Sequence, residues 1–472
     1  MEANSTTHRL QPHAKELDGL FGSPKQLVHL VTLAIILIAF YILQPRRIHN
    51  DGLLTANKRF SWEPAFFARV RWITNAQQII DNADNKAKGR PYRLSRGDTD
   101  QVLLPPSMIP ELNRLGIDVL NSRESHAFGL LGHLTGMDVV RKTSFHVRVL
   151  LSYISPALPA LFALTGARIA AGIKHEFPQS REWTAMKPSK AVVRCISEAI
   201  ALTLFGAEMT ANNPDLIHLT HEHTHNATVN PDVISWMVED GRNDMERDPG
   251  VLTTLVGSIA AGSTYSITNF CCRTIVDMVA HPDVLDAVRS EIREKHSQIH
   301  GRWDMAALGS LEKLESAMKE SSRLTPGTLL VYSRVVKKDH VLSNGLAIKK
   351  GQFVTMSGAA RTMDPTIFEH PREYKGLRFC ADDKIEDHRA RPFHSIDTDI
   401  LTWGAGRWSC PGRFIADISA KILLVKLLDE YDFAFVGDKP LTRSIMHEFL
   451  FFHPESQMLA RRREDPSGIL FV

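Results

Sequence analysis

The sequence predicts a mainly α-helical protein with small β-sheets, arranged as one large domain behind an N-terminal transmembrane helix. Three observations predict this. An uncharged apolar run, Leu27 to Leu43, stands near the N-terminus. Proline-free stretches of helical length recur through the rest, among them the thirty residues from Val251 to Ala280. Strand-like runs are few and short, and they flank turn signals such as Gly97–Asp98 and Ser343–Asn344–Gly345.

Taken in order, residues 1–26 form a polar N-terminal segment and residues 27–43 read LVHLVTLAIILIAFYIL. As a helix this run spans about 25 Å, short for an average hydrocarbon core but suited to a thin membrane such as the endoplasmic reticulum. Pro45, Arg46 and Arg47 close it. With Lys58 and Arg59 they favour a cytoplasmic domain by the positive-inside bias, while Arg9, Lys15 and Lys25 pull the other way. Residues 44–60 are expected to be a linker. Residues 61–472 contain no Gly/Ser-rich break, repeat or low-complexity tract, so they are read as one domain.

Within that domain, Asp51–Asn85 and Lys142–Lys174 carry apolar spacing suited to helices. A strand pair is expected at Tyr92–Arg96 and Gln101–Leu104. The long helix should end at His281–Pro282, since proline disfavours a helical residue before it. Another helix, Leu314–Leu324, stops at Pro326–Gly327, and strands follow at Leu329–Val336 and Gly351–Met356. Cys380–Leu401 reads as loop, Phe414–Tyr431 as helix and Ile445–Phe452 as extended chain.

Composition narrows the chemistry. A net charge of +3 over 472 residues excludes a strongly basic nucleic-acid binder. The five cysteines, Cys195, Cys271, Cys272, Cys380 and Cys410, form neither paired C-x-x-C zinc signatures nor a disulfide framework. Cys271 and Cys272 lie on the long helix as core residues. Cysteine chemistry therefore falls to one residue acting alone. The histidines His218, His221, His223 and His225 have spacings that match no zinc signature and read as a solvated polar segment.

The most informative stretch, Thr402 to Phe414, reads TWGAGRWSCPGRF. Glycine lets backbone turn tightly and approach a flat ligand closely. A cysteine just ahead of a helix, beside arginines, is expected to favour thiolate, which donates strongly to iron. This segment resembles the haem-binding loop of cytochromes P-450, F-x-x-G-x-R-x-C-x-G. The resemblance places Cys410 as axial ligand of the haem iron, Gly406 and Gly412 as the two glycines, and Trp403 where the family has Phe. Gly404, Arg407 and Trp408 fall among the cofactor-binding positions. Trp408 stands where a propionate-binding Arg or His is usual, and Arg407 is expected to compensate.

Two further segments are similar to the family's. Glu320 and Arg323, three apart on a helix, share a face, and His370–Phe379 resembles the segment whose arginine, here Arg378, completes a buried Glu–Arg–Arg support. Arg334 matches a frequent propionate contact. On the long helix, Ala260–Thr268 corresponds to the oxygen-handling segment. Counting back from Pro282 makes Tyr265 the acid equivalent and Ser266 the alcohol, whereas a register one residue away makes Thr264 the acid equivalent; neither register supplies a carboxylate. His146 and Arg148 are weaker candidates for haem propionates.

The resemblance implies a cytochrome P-450 fold of the fungal microsomal type and a monooxygenase. It would insert one oxygen atom from dioxygen into an apolar substrate such as a terpenoid or indole-derived secondary metabolite. Electrons would come from NADPH through a cytochrome P-450 reductase docking near Arg407 and Arg413. The missing acid leaves open a reductase-independent isomerase or dehydratase. A non-enzymatic haem-binding membrane protein is the third reading.

Overall fold

Proline placement and side-chain capping set the helix boundaries, and the helices in turn carry most of the chain. The computed structural model describes residues 24–43, 52–60, 63–97, 99–212, 232–380, 391–437 and 442–472. The first element, α1 (Pro24–Leu43), is a helix whose Val28, Leu30, Leu33, Ile35 and Ile38 are exposed instead of packed on the domain.

Residues 52–60, expected as linker, lie against the domain instead. Ala56 N donates to Arg93 O and Arg93 N to Leu54 O, both at 2.7 Å. The buried Asn57 side chain donates to Ala68 O and Ser95 O and accepts from Ser95 N. Three such bonds hold the segment in place, because an unmade bond at a buried polar group is costly. Helix α2 (Ala65–Ala87) follows, bends at Asn75, and buries Trp72, Ala76, Ile80 and Ala83 along one face.

A five-stranded sheet stands beside α2. Its strands are β1 (Tyr92–Ser95), β2 (Asp100–Leu103), β3 (Leu120–Asn121), β4 (Leu330–Val336) and β5 (Phe353–Ser357), in the order β1-β2-β5-β4-β3. β1 and β2 form the expected antiparallel pair, with Tyr92 opposite Leu103 and Ser95 opposite Asp100. β2 runs parallel to β5, and β5 antiparallel to β4 with a register shift between Val331 and Arg334. The C-terminal extended segment is a hairpin of β6 (Arg443–Met446) and β7 (Phe449–Phe452). Glu448 at its tip pairs with Arg96 at 2.6 Å, and its carbonyl accepts from Leu329 N.

The core is helical. α3 (Ser155–Glu176) continues a helical run from Phe145, and α4 (Pro188–Asn212) packs on it with a bend at Gly206. α5 (Pro249–Val279) begins at Pro249, where the Asp248 side chain caps Val251 N, and ends just before His281–Pro282 as expected. Pro282 then opens α6 (Pro282–Gln298). α7 (Glu312–Leu324) and α8 (Arg413–Glu430) complete the set. Ile169, Ile173, Ile196, Leu255, Ile275, Met318 and Leu424 meet in one apolar cluster with the thiols of Cys195, Cys271 and Cys272. The 145–176 run and α5 are long and apolar enough to cross a membrane, yet both contribute fully buried side chains to this core.

Candidate active site

The cysteine loop is a pair of 3-10 turns, Leu401–Trp403 and Gly406–Trp408, separated by Gly404 and leading into α8. Gly404 adopts φ +72° and ψ −160°, a region open to glycine alone. Gly406 sits at φ +68°, and Gly412 is the residue before α8. These bends fold the loop so that Cys410 N donates to Trp403 O at 2.7 Å. The half-buried Cys410 thiol is pushed up by burial, against the pull of the Gly412 and Arg413 backbone N–H groups and the Arg413 charge. This corrects the sequence expectation. The helix start and Arg413 by themselves do not offset burial here; an iron at the sulfur would favour the thiolate, since a coordinated thiol is deprotonated outright.

Beneath the loop lies the support that the resemblance implied. Glu320 and Arg323 are fully buried. Arg323 donates to both Glu320 oxygens, at 2.7 and 2.8 Å, and Arg378 Nε reaches both at 3.1 Å. Lys375 N is a third donor residue, at 3.0 Å, and the outer guanidinium nitrogens bond the carbonyls of Thr362, Pro371, Glu369 and Glu373. From the adjoining residue of α7, Ser322 meets the Thr402 hydroxyl at 3.1 Å, joining this cluster to the loop.

A chain of rings joins the loop to α5. Trp403 Nε1 donates to Phe393 O at 2.6 Å, the Trp403 and Phe393 rings meet edge to face, and Phe393 stacks on Phe270 with centroids 4.8 Å apart. Ser266 lies one helical turn before Phe270, on nearly the same side of α5, while Thr264 is rotated away by about 120° at 3.6 residues per turn. Ser266 is exposed, and its hydroxyl donates to Gly262 O at 2.5 Å. Thr264 is half-buried. Tyr265, at the acid position, is 70% exposed.

The other edge of the loop is cationic. The Arg123 guanidinium lies 5.9 Å from the Trp408 ring, a cation–π distance. Arg123 Nε and His146 Nδ1 are buried without hydrogen-bond partners among the described residues. Burial, then the neighbouring His126 and Arg123, pushes His146 down to about 4; burial also lowers His126. Three bases crowd together here, and Arg123 brings to Trp408 the charge which that position lacks. Arg148 is otherwise engaged: it pairs with Asp240 at 2.6 Å and Glu246 at 2.8 Å. It is therefore no candidate for propionate, and His146 alone of that pair stays available. Arg334 is buried over the Tyr332 ring and, pushed down to about 10 by burial, faces no carboxylate among the described residues. The Arg407 side chain and the His218–His225 cluster lie outside the described residues.

These residues fit a haem. A lone half-buried cysteine offers a ligand to iron, the glycine bends allow close approach of a flat ring, and Arg123 and His146, each with a buried nitrogen lacking a partner among the described residues, stand with Arg334 to meet its carboxylates. Arg123 escaped the sequence reading because nothing local marks it; only the fold sets it on Trp408.

A chain with this helical architecture and cysteine loop has clear relatives. Residues 220–460, a little over half of the chain, match the Cytochrome P-450 family. A cytochrome P-450 monooxygenase of Emericella nidulans is 24% identical, covering 86% of each chain, and another of Aspergillus flavus is 25% identical over 87% of this chain and 89% of its own. An ent-kaurene oxidase of Gibberella fujikuroi is 23% identical over 86% of this chain and 91% of its own. The crystal structure of a cytochrome P-450 haem domain covers 87% of this chain and 98% of its own, with a TM-score of 0.67 at 14% identity. The chain belongs to the cytochrome P-450 family, the haem-thiolate monooxygenases that the resemblance implied.

Replacing Glu320 by Gln leaves two buried guanidiniums without their counter-charge, at a cost of about 3–5 kcal/mol. The variant should unfold at lower urea and retain little haem absorbance per protein. Wild-type values for both would refute the support role.

Proposed function

We propose that this cytochrome P-450 inserts one oxygen atom into an apolar secondary metabolite of the terpenoid or indole-derived kind. Electrons come singly from NADPH through a reductase, docked on the face near Arg407 and Arg413. One observation carries the site assignment: a single cysteine, Cys410, is fixed by its own N–H to Trp403 O in a glycine-bent loop seated on the Glu320 cluster. A thiolate-ligated haem, when bound, supplies reductive activation of dioxygen, with the second oxygen atom leaving as water. The relative named for oxidation of ent-kaurene supports a terpenoid substrate.

The chain's own groups then have distinct tasks. Cys410 supplies the sulfur ligand, and Gly412 and Arg413 N–H groups temper its charge. Arg123, His146 and Arg334 would hold the haem carboxylates. Ser266, already donating to Gly262 O, can accept a hydrogen bond and hold a water for proton delivery where the usual acid is absent. The apolar faces Phe449 and Phe451 of β7, each 40% exposed, are candidates for substrate contact.

Localisation belongs to the same proposal. The exposed apolar helix α1 anchors the protein in the endoplasmic reticulum, with the catalytic domain in the cytoplasm. An exposed apolar stripe on α2, made of Phe66, Phe67, Val70 and Ile73, gives the domain a second surface suited to a membrane.

Three measurements test the reading. The reduced, carbon monoxide-bound wild type should show a thiolate-type Soret band that Cys410→Ala abolishes; an imidazole-type band in the wild type would sink the assignment. Ser266→Ala should yield about a hundredfold less product per NADPH consumed, the lower end of the range for a side chain positioned in proton transfer, while Thr264→Ala stays near wild type. The reverse order would transfer the role to Thr264. In liposome flotation the full chain should rise with the lipid and a chain lacking residues 1–47 should not; equal flotation of both would discard α1 as the anchor.

A further inference from the structure

Tyr332 has a backbone that a bulky residue rarely adopts. It sits in β4 where pairing with β5 slips between Val331 and Arg334, at φ +59°. The slip turns its ring inward, leaving it 7% exposed. There its phenol O–H donates to Asn113 Oδ1 at 2.6 Å. Asn113 belongs to the short helix Ile109–Arg114, more than two hundred residues away in sequence.

Two further contacts converge on this bond. The Asn113 amide lies directly against Gly406 of the cysteine loop: a Cβ built on Gly406 would stand 2.4 Å from Asn113 Oδ1 and 2.8 Å from Nδ2. On the other side, the Arg334 guanidinium lies 4.0 Å from the centre of the Tyr332 ring and donates to Ser333 O. Tyr332, Leu112, Leu401 and Ala405 also share one apolar cluster. A strained conformation persists only where its surroundings over-determine it, and such positions gather at working sites.

We propose that Tyr332 and Asn113 form a positioning pair for the cysteine loop. The Asn113 amide is the stop against which Gly406 seats, four residues before Cys410. Tyr332 locks the orientation of that amide and gives Arg334 a shelf facing the loop. A phenylalanine at 332 would fill the same space and keep the shelf but release the amide. The phenylalanine therefore removes the polar contacts of the phenol, to Asn113 and to Arg334, separately from packing. This inference rests on Cys410 being the haem ligand.

The test uses the full-length haem-loaded protein with Tyr332→Phe, Asn113→Ala and the double variant. Haem transfer to excess apomyoglobin is followed at the Soret band, and the thiolate-type fraction of the reduced carbon monoxide complex is read well below the melting temperature. Each single variant should lose haem about two- to tenfold faster, the effect of one buried hydrogen bond, and show a smaller thiolate-type fraction. The double variant should be no worse than the more affected single one, the signature of two groups acting as a unit. Singles with wild-type haem loss and thiolate fraction, or effects that add in the double variant, overturn the pair. A wild type without the thiolate-type band overturns the Cys410 reading and this inference with it, whereas a normal wild type with unmoved variants overturns the inference alone.

Discussion

The fully buried carboxylate of Glu320 is the constraint on which the rest of the site depends. A charge taken out of water must be answered completely, or the protein loses several kcal/mol. Here Arg323 and Arg378 neutralise it and Lys375 N adds a further bond. Two arginines bring more donors than one carboxylate can accept, so their outer nitrogens take up carbonyls between Thr362 and Glu373. The demand for satisfaction thereby dictates the path of an otherwise irregular segment. Because Ser322 of the same helix reaches Thr402, it also sets the floor under the cysteine loop.

A second ionic group works in the same way on the neighbouring helix. Lys421 of α8 is buried between Asp417, 3.0 Å away, and Glu315 of α7. Asp417 also meets His394 Nδ1 at 2.8 Å, beside Phe393 and its ring stack. The helix that follows Cys410 is thus pinned to the helix that carries Glu320. The sulfur is held from both directions: upstream by Trp403 and downstream by α8. Preorganisation of this kind matters at a metal ligand, where the supporting shell sets ligand geometry.

Where the chain departs from the usual cytochrome P-450 pattern, the surroundings show how the loss is met. Trp408 brings no charge, but Arg123 from a distant helical turn lies over its ring. The acid position on α5 is Tyr265, and the neighbouring Ser266 keeps a hydroxyl on the side of α5 that leads through Phe270 to the loop. In the first case the charge comes from a residue outside the local motif; in the second only the motif's own hydroxyl remains.

Much of this was legible in the amino-acid order. Elements bounded by proline, glycine or a capping side chain could be read to within a few residues, as α5, α7 and α8 illustrate, because those signals act on the local backbone. The cysteine loop was legible for a similar reason: its glycines and its single cysteine must stand at fixed short spacings. The linker reading of residues 52–60 failed since Asn57 acquires its partners, Ala68 and Ser95, only when the sheet edge is in place.

The upward push of burial on the Cys410 thiol, against Arg413 and the backbone N–H groups at the helix start, was also invisible, because burial is a property of packing. The sequence by itself determined the helical class through periodicity, while the candidate ligand cysteine and the Glu–Arg–Arg trio were legible through the resemblance of their motifs to the cytochrome P-450 family. Only the tertiary structure decided that Arg148 is spent on Asp240 and Glu246, that Arg123 faces Trp408, and that Tyr332 reaches Asn113. Those are encounters between residues far apart in the chain, and through-space contact leaves no mark on local order.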